Sequence, residues 1–357
     1  MVKNTLLSGL KVVDASTVLA GPSVGTYFAE LGADVIKIEH PTMGDVTRTW
    51  KLPSEDADSP VSNYFSSVNF GKTYLTLDLK VEEDRSQFLK SLSDADILLS
   101  NFKHGDAEKF HLTDEIVHRI NPKLIHGKIN GFGEDSDRVA YDLILQAETG
   151  FMSMNGQSDG PPTKMPVALI DVLAAHHLKE AILLALYQRE KTQKGVTVSV
   201  SLYGAAVSSL MNQASNYLMS NSIPKRIGSL HPNIAPYGEI FRTKDQADIC
   251  FAIGSDKHFG LLCAFLNLAE LSVDEKYASN SNRVKNRIEL AEMIQAKVAD
   301  FDAATILAHM EEHNVPCGKI KNLHEVFEES SAKNLILSEE IEGKMTQRVQ
   351  SAIFQWT

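Results

Sequence analysis

From Gly9 the chain reads GLKVVDAST, then VLAGPSVGTYFAELG, then ADVIKIEHP. An apolar strand-like run, a glycine-bearing loop opening an amphipathic helix, and a second apolar run leave few options. Two strands joined through a helix lie parallel, and the crossover between them is right-handed. A parallel sheet needs both faces covered, so the fold class is α/β. Pro22 is expected at the first helical position, where its missing N–H costs nothing, with Phe28 and Leu31 on the buried face.

The segments YLTLDLK, ADILLSNF and KLIHGKINGFG supply further strands, with helical patterns between them. In GVTVSVSL, Val196, Val198 and Val200 alternate with Thr197, Ser199 and Ser201, which marks a strand with one buried face. A polar-spotted helical stretch from Tyr203 to Asn221 leads into HPNIAPYGEIFRTKDQADICFAIG, a turn-rich strand pair that opens a second, smaller unit. The expected organisation is residues 1–205 as the first part of a large Rossmann-like domain, 206–224 as a linker, and 225–310 as a small α+β domain. Residues 311–357 are expected to return and complete the large domain, which is thus built from both chain ends.

A formal net charge of −11 argues against nucleic acid or an anionic membrane as principal partner, since both need a basic footprint. A polyanionic small molecule can still use a local basic pocket. The chain has no apolar run of about eighteen residues, and MVKNTLLSGLKVVD has no signal-peptide h-region, so a cytoplasmic location is expected. Cys250, Cys263 and Cys317 lack C-x-x-C spacing, so they point to neither a disulfide framework nor a zinc ribbon.

Three signals bear on chemistry. The AGPSVG loop followed by Glu39 has the outline of a dinucleotide site, but Gly21 and Gly25 are spaced G-x-x-x-G and lack the close-approach glycine, which disfavours a nicotinamide oxidoreductase. HMEEH, His309 to His313, puts two histidines four apart on one helix face, yet it stands at the end of a helix stopped by Pro316, and no metal is expected. In ALIDVLAAHH, Asp171 precedes the helical stripe Ala174, Leu178, Ala181, Ile182 and Ala185, and reads as an N-cap. Capping is compatible with chemistry: the positive end of a helix is expected to keep a nucleophilic carboxylate ionised.

Read together, LSGLKVVDASTVLAGPSVGTYFAELGADVIKIEHPTMGDVTR, NFGKTYLTLDLK, ADILLSNFKHG, YDLILQAETGFMSMNG, ALIDVLAAHH, KGVTVSVSLYGAA, HPNIAPYGEIF and NVPCGKI resemble the family III CoA-transferases. The α-methylacyl-CoA racemases are relatives of that family. The resemblance spans essentially the whole chain and implies transfer of CoA from an acyl-CoA to a free carboxylic acid, with Asp171 as covalent nucleophile and no cofactor beyond the CoA substrate. It places CoA binding on His40, on Leu77, Asp78, Leu79 and Lys80, on Asn101, Phe102 and Lys103, on Lys109, and around Tyr141. It also implies a homodimer whose subunits interlock like linked rings. Main chain near Leu77 can meet an adenine edge, and Lys80, Lys103 and Lys109 can meet phosphates. Backbone amides around Leu19 and Ala20 are candidate oxyanion donors. The racemases carry a histidine before an aspartate where this chain has Tyr141–Asp142, and tyrosine is a poor base at neutral pH. A racemase-type enzyme and an inactive CoA-binding protein are the alternatives.

Overall fold

The computed structural model describes residues 5–355. Six strands form one parallel sheet: β1 (Lys11–Ala15), β2 (Asp34–Glu39), β3 (Lys72–Thr76), β4 (Ile97–Ser100), β5 (Ile125–Asn130) and β6 (Val196–Ser201), in the order β3-β2-β1-β4-β5-β6. Both of its faces are covered, so β4 (ILLS) is a nearly continuous apolar run, while β1 and β2 bury the charged Asp14 and Lys37 within theirs. Val12, Val35, Ile97, Leu99 and Ile125 pack on one face with Val24 and Phe28 of the helix Ala20–Glu30 and with Leu178 and Ile182 of the helix Leu169–Thr192. On the other face Val13, Ile38, Leu98 and Leu124 meet Phe88 and Leu92 of the helix Glu82–Leu92 and Val117 of the helix Asp114–Ile120. Phe88 is completely buried there, and its truncation to alanine would cost about 3–5 kcal/mol. From β1 the chain steps outward through β2 to β3 and then crosses back to β4 on the other side of β1, so the order reverses between β1 and β4 and opens a crevice at the strands' carboxyl ends.

The helix after β1 starts at Ala20, so Pro22 is its third residue and still within the first turn, where the helix offers its N–H no acceptor. The glycine spacing has a packing cause. A Cβ on Gly21 would lie 2.3 Å from Ser16 Oγ, and one on Gly25 would lie 2.8 Å from Asp14 Oδ2, so these glycines let the helix settle onto β1.

One compact unit runs to Phe151, resumes over Lys164–Ile223 and closes with the segment from Asn334. Residues 202–220, expected largely as linker, form the helices Leu202–Ser208 and Met211–Ser220 of this unit. Its last strands, β10 (Ile336–Ile341) and β11 (Lys344–Val349), pair as a hairpin. The hairpin is tied to the N-terminal segments by Arg348 with Glu30 and by Glu342 with Arg48.

The second unit comprises Met152–Thr163 and Pro224–Lys333. Its antiparallel sheet orders β7 (Tyr237–Arg242), β8 (Asp248–Ala252) and β9 (Cys317–Lys319). Phe241, Ile249, Phe251, Phe259, Leu262, Ile294 and Ile306 form its core. The return to the first unit therefore begins at Asn334, later than the sequence pattern suggests, because Cys317, Gly318 and Lys319 pair with Phe251, Cys250 and Ile249 and extend the small sheet. No helix among the described residues is long and apolar enough to cross a membrane.

Candidate active site

The helix Leu169–Thr192 precedes β6 in a parallel sheet, so it starts at the sheet's carboxyl edge, as does the helix Ala20–Glu30. The two run side by side, with Lys179 Nζ 5.0 Å from the Tyr27 ring. Asp171 is the third residue of its helix, not its cap: the capping position is Ala168, without a side-chain hydrogen bond. A different aspartate caps the helix. Asp142 Oδ1 accepts from the Ile170 amide at 2.7 Å, and its Oδ2 accepts from Gln146 Nε2 at 2.6 Å. Asp142 thus satisfies one of the first-turn donors of this helix, and Asp171, inside the helix, does not cap it.

The Asp171 side chain is left without a hydrogen-bond partner among the described residues, and the residue is only 7% exposed. Burial, with the Asp142 carboxylate second, pushes its pKa up to about 7. This reverses the sequence expectation of a carboxylate kept firmly ionised: desolvation and a like charge outweigh the helix end. Tyr64 lies within electrostatic reach, its phenol pushed up to about 12 by burial and then by Asp171, Asp142 and Asp45. Trp50 packs edge-on against Tyr64 at 5.1 Å.

The residues expected to hold CoA fall into two groups along the same sheet edge. His40 follows β2 and lies beside Asp78, with Nε2 3.5 Å from Oδ2. Main-chain donors here are mostly engaged: the Leu77 amide donates to Glu39 O, the Asp78 amide to Asp84, and the Lys80 amide to Asp78 Oδ1. Leu77 is buried and Lys80 exposed. In the second group Asn101, Phe102, Lys103 and Tyr141 line one cleft of about 540 Å³. Both ends of the Asn101 amide are committed to the loop after β1: Oδ1 accepts from Thr17 N at 3.0 Å and Nδ2 donates to Thr17 O at 2.9 Å. Phe102 meets Phe110 edge-on at 5.9 Å. Lys109 is not among the cleft-lining residues and sits 3.8 Å from Asp106. Tyr141, 51% exposed, stands immediately before the helix Asp142–Glu148.

Beneath the first turn of the helix Ala20–Glu30 lies a chain of buried charges. Lys72 Nζ donates to Asp14 at 2.8 Å, Lys37 Nζ to Asp45 at 3.1 Å, and Arg48 grips Glu39 through Nε and Nη2. Asp45 also accepts from the Val18 amide at 3.2 Å, holding that β-branched residue at φ +74°, a conformation such side chains rarely adopt. The post-β1 loop is therefore fixed from below by Asp45 and from the side by Asn101. In the second unit, HMEEH brings ligand atoms of His309, Glu312 and His313 within 4.8 Å of one another, with the two imidazoles stacked at 4.1 Å.

Residues 7–356 match the description of CoA-transferase family III. The chain belongs to that family. It is 36% identical over 327 residues to a succinate–glutarate CoA-transferase of Agrobacterium fabrum, covering 90% of this chain and 81% of the relative. Against a succinyl-CoA:glutarate CoA-transferase of Mus musculus the identity is 35% over 328 residues, 91% of this chain and 74% of that one. A solved CAIB/BAIF family protein from Brucella suis superposes with a TM-score of 0.86 at 36% identity, covering 99% of this chain and 93% of the other. This CoA-transferase carries features that sequence patterns missed: the capping role of Asp142, the nearness of Tyr64, and the charges under the loop. The only visible signal for the last was charged residues inside apolar strands, as in KVVDA and VIKIE.

Proposed function

We propose that this transferase moves CoA from an acyl-CoA to a free carboxylic acid through a covalent intermediate on Asp171. The observation that carries this reading is a buried carboxylate at a helix start whose capping duty another residue has taken over. With no hydrogen bonds to loosen and a pKa near 7, it is poorly solvated, basic, and still partly ionised at neutral pH. Asp171 Oδ attacks the donor thioester carbon and the C–S bond breaks, giving a mixed anhydride and CoA thiolate. The thiolate then attacks the aspartyl carbonyl, releasing the donor acid and leaving an aspartyl-CoA thioester. The acceptor carboxylate repeats the two steps in reverse order, and the thioester energy is conserved throughout.

The names of the relatives support dicarboxylic acids such as succinate and glutarate as the acyl groups exchanged. His40 and the Leu77–Lys80 turn hold one part of CoA in this reading, and Phe102, Lys103, Lys109 and Tyr141 another. The enzyme works as a cytosolic homodimer; exposed Leu184, Tyr187, Leu218 and Met219 on two helices of the first unit support a second copy as their cover.

Hydroxylamine trapping tests the intermediate. After incubation with succinyl-CoA, peptide mass analysis should find the hydroxamate on Asp171 alone; a wild-type enzyme that turns over without ever being trapped there loses the reading. In deuterated water a chiral 2-methylacyl-CoA should keep its α-proton, because transfer makes and breaks bonds only at the carbonyl, whereas a racemase would exchange it.

A further inference from the structure

The other face of the parallel sheet carries a second constellation at its carboxyl edge. Ser100 ends β4 and His126 lies in β5, where Leu98 pairs with His126 and Ser100 with Lys128 in register. Leu98 and Leu124 belong to the core beneath the helices Glu82–Leu92 and Asp114–Ile120, so the alternation of the strands puts Ser100, His126 and Lys128 on that face. The helix of Asp171 covers the opposite face. Ser100 Oγ lies 2.8 Å from His126 Nε2, and His126 Nδ1 lies 2.8 Å from Asp114 Oδ1. Lys128 Nζ donates to the other Asp114 oxygen at 2.6 Å.

These contacts dictate the protons. Burial opposes ionisation of Asp114, but the hydrogen bonds from His126 and Lys128 override it and hold its carboxyl below the usual range. An ionised Asp114 only accepts, so Nδ1 of His126 carries the hydrogen. Burial, with Lys128 and His118 adding repulsion, outweighs Asp114 and lowers the His126 pKa, so the imidazole is neutral and Nε2 is an acceptor. The Ser100 hydroxyl therefore donates to Nε2. That is the resting arrangement of a base-activated serine.

We propose that Ser100, His126 and Asp114 form a second nucleophilic centre, which hydrolyses acyl esters and thioesters independently of Asp171. Ser100 and His126 are nearly buried, at 3% and 1% exposed, and both line the cleft of about 540 Å³ whose wall also carries Lys103, a cation suited to a developing oxyanion. Ser100 Oγ adds to the acyl carbon while its proton passes to His126 Nε2. The C–S or C–O bond to the leaving group breaks, and that proton leaves on the thiol or alcohol. Water then attacks acyl-Ser100, gives a proton to His126, and the carboxylic acid departs as Ser100 regains its hydrogen.

Diisopropyl fluorophosphate and 4-nitrophenyl acetate probe the centre in Asp171→Asn, a background that removes the aspartyl route. The phosphoryl adduct should map to Ser100, and 4-nitrophenyl acetate hydrolysis should survive Asp171→Asn and vanish in Asp171→Asn/Ser100→Ala. His126→Gln should slow phosphorylation roughly 100-fold, the lower end of what a general base supplies. If that variant does not fold, the pH profile of the protein with His126 intact decides. Labelling should be flat through neutral pH and fall only on the acid side of the ordinary imidazole range, as His126 takes a proton. Absence of a Ser100 adduct, labelling independent of both His126 and pH, or esterase activity that disappears with Asp171 would overturn the proposal.

Discussion

The end of β1 and the start of the Leu169–Thr192 helix each bury an aspartate, and the surroundings treat the two in opposite ways. Asp14 is fully enclosed; burial would raise its pKa, but Lys72 at 2.8 Å and Lys37 in the neighbouring strand outweigh burial and hold it below the ordinary range. Asp171 is almost as buried, yet the charge that acts on it is another carboxylate, Asp142, and burial with that repulsion raises its pKa to about 7. The same residue type is in one place a fully compensated charge that fixes a loop, and in the other a charge left short of partners. A partner-poor carboxylate costs the fold stability, and under the proposed nucleophilic role of Asp171 that cost is exchanged for reactivity.

The sharpest break in this comparison is removal of each negative charge. Asp171→Asn should abolish CoA transfer, a loss of at least about 1,000-fold, while leaving the protein folded. Transfer at a wild-type rate would end the nucleophile assignment. Asp14→Asn should instead cost roughly 3–5 kcal/mol of stability, read from denaturant midpoints, because Lys72 and Lys37 stay buried without their counter-charge. Equal stability losses in the two variants would erase the distinction.

The parallel sheet was legible in the sequence because apolar runs such as ILLS and the order strand–helix–strand allow few arrangements. The second unit's limits were not: β9 is three residues long, too short for any period to show, and Met152–Thr163 joins that unit only through the folded chain. Asp171 stood out through resemblance, while its local pattern pointed to a cap. The misreading has a physical cause: the helix begins at Leu169, two residues before Asp171, and its Ile170 amide is held by Asp142, distant in sequence. The buried charges were hidden for a similar reason: Asp14 and Lys37 are neighbours only in strand register.

Acidity provides the next test, with opposite signs at the two aspartates. The folded pKa of Asp171 lies above its ordinary 3.8, so its contribution to stability declines as pH rises from about 4 to about 7. Asp171→Asn should therefore match or exceed wild-type Tm at pH 8, and the gap should close at pH 4. Asp14, with a lowered pKa, contributes stability above its unfolded value and loses it as pH falls through the folded one. The transfer rate of the wild type should have an acid limb near pH 7. Asp142→Asn keeps an acceptor for the Ile170 amide but removes the like charge, so that limb should move to lower pH. An unmoved limb would show that Asp142 does not set the acidity of Asp171.

The smallest effect expected is at the surface lysines, where salt separates solvated charges from buried ones. Lys80 is exposed and Lys109 already lies 3.8 Å from Asp106, so each faces water and mobile ions. If they meet CoA phosphates, Lys80→Ala and Lys109→Ala should weaken CoA binding by about 2–5-fold at low ionic strength and less at 0.1 M salt, where the Debye length shrinks to about 10 Å. The loss should be smaller for Lys109, whose charge Asp106 partly offsets. The destabilisation by Asp14→Asn, in contrast, should barely respond to salt, because no counter-ion reaches Lys72 or Lys37 in the core. Titration calorimetry at two ionic strengths, run beside denaturation of Asp14→Asn, measures both. Unchanged affinity at low salt for both lysine variants would remove these side chains from the CoA site and leave binding to the cleft of Phe102, Lys103 and Tyr141.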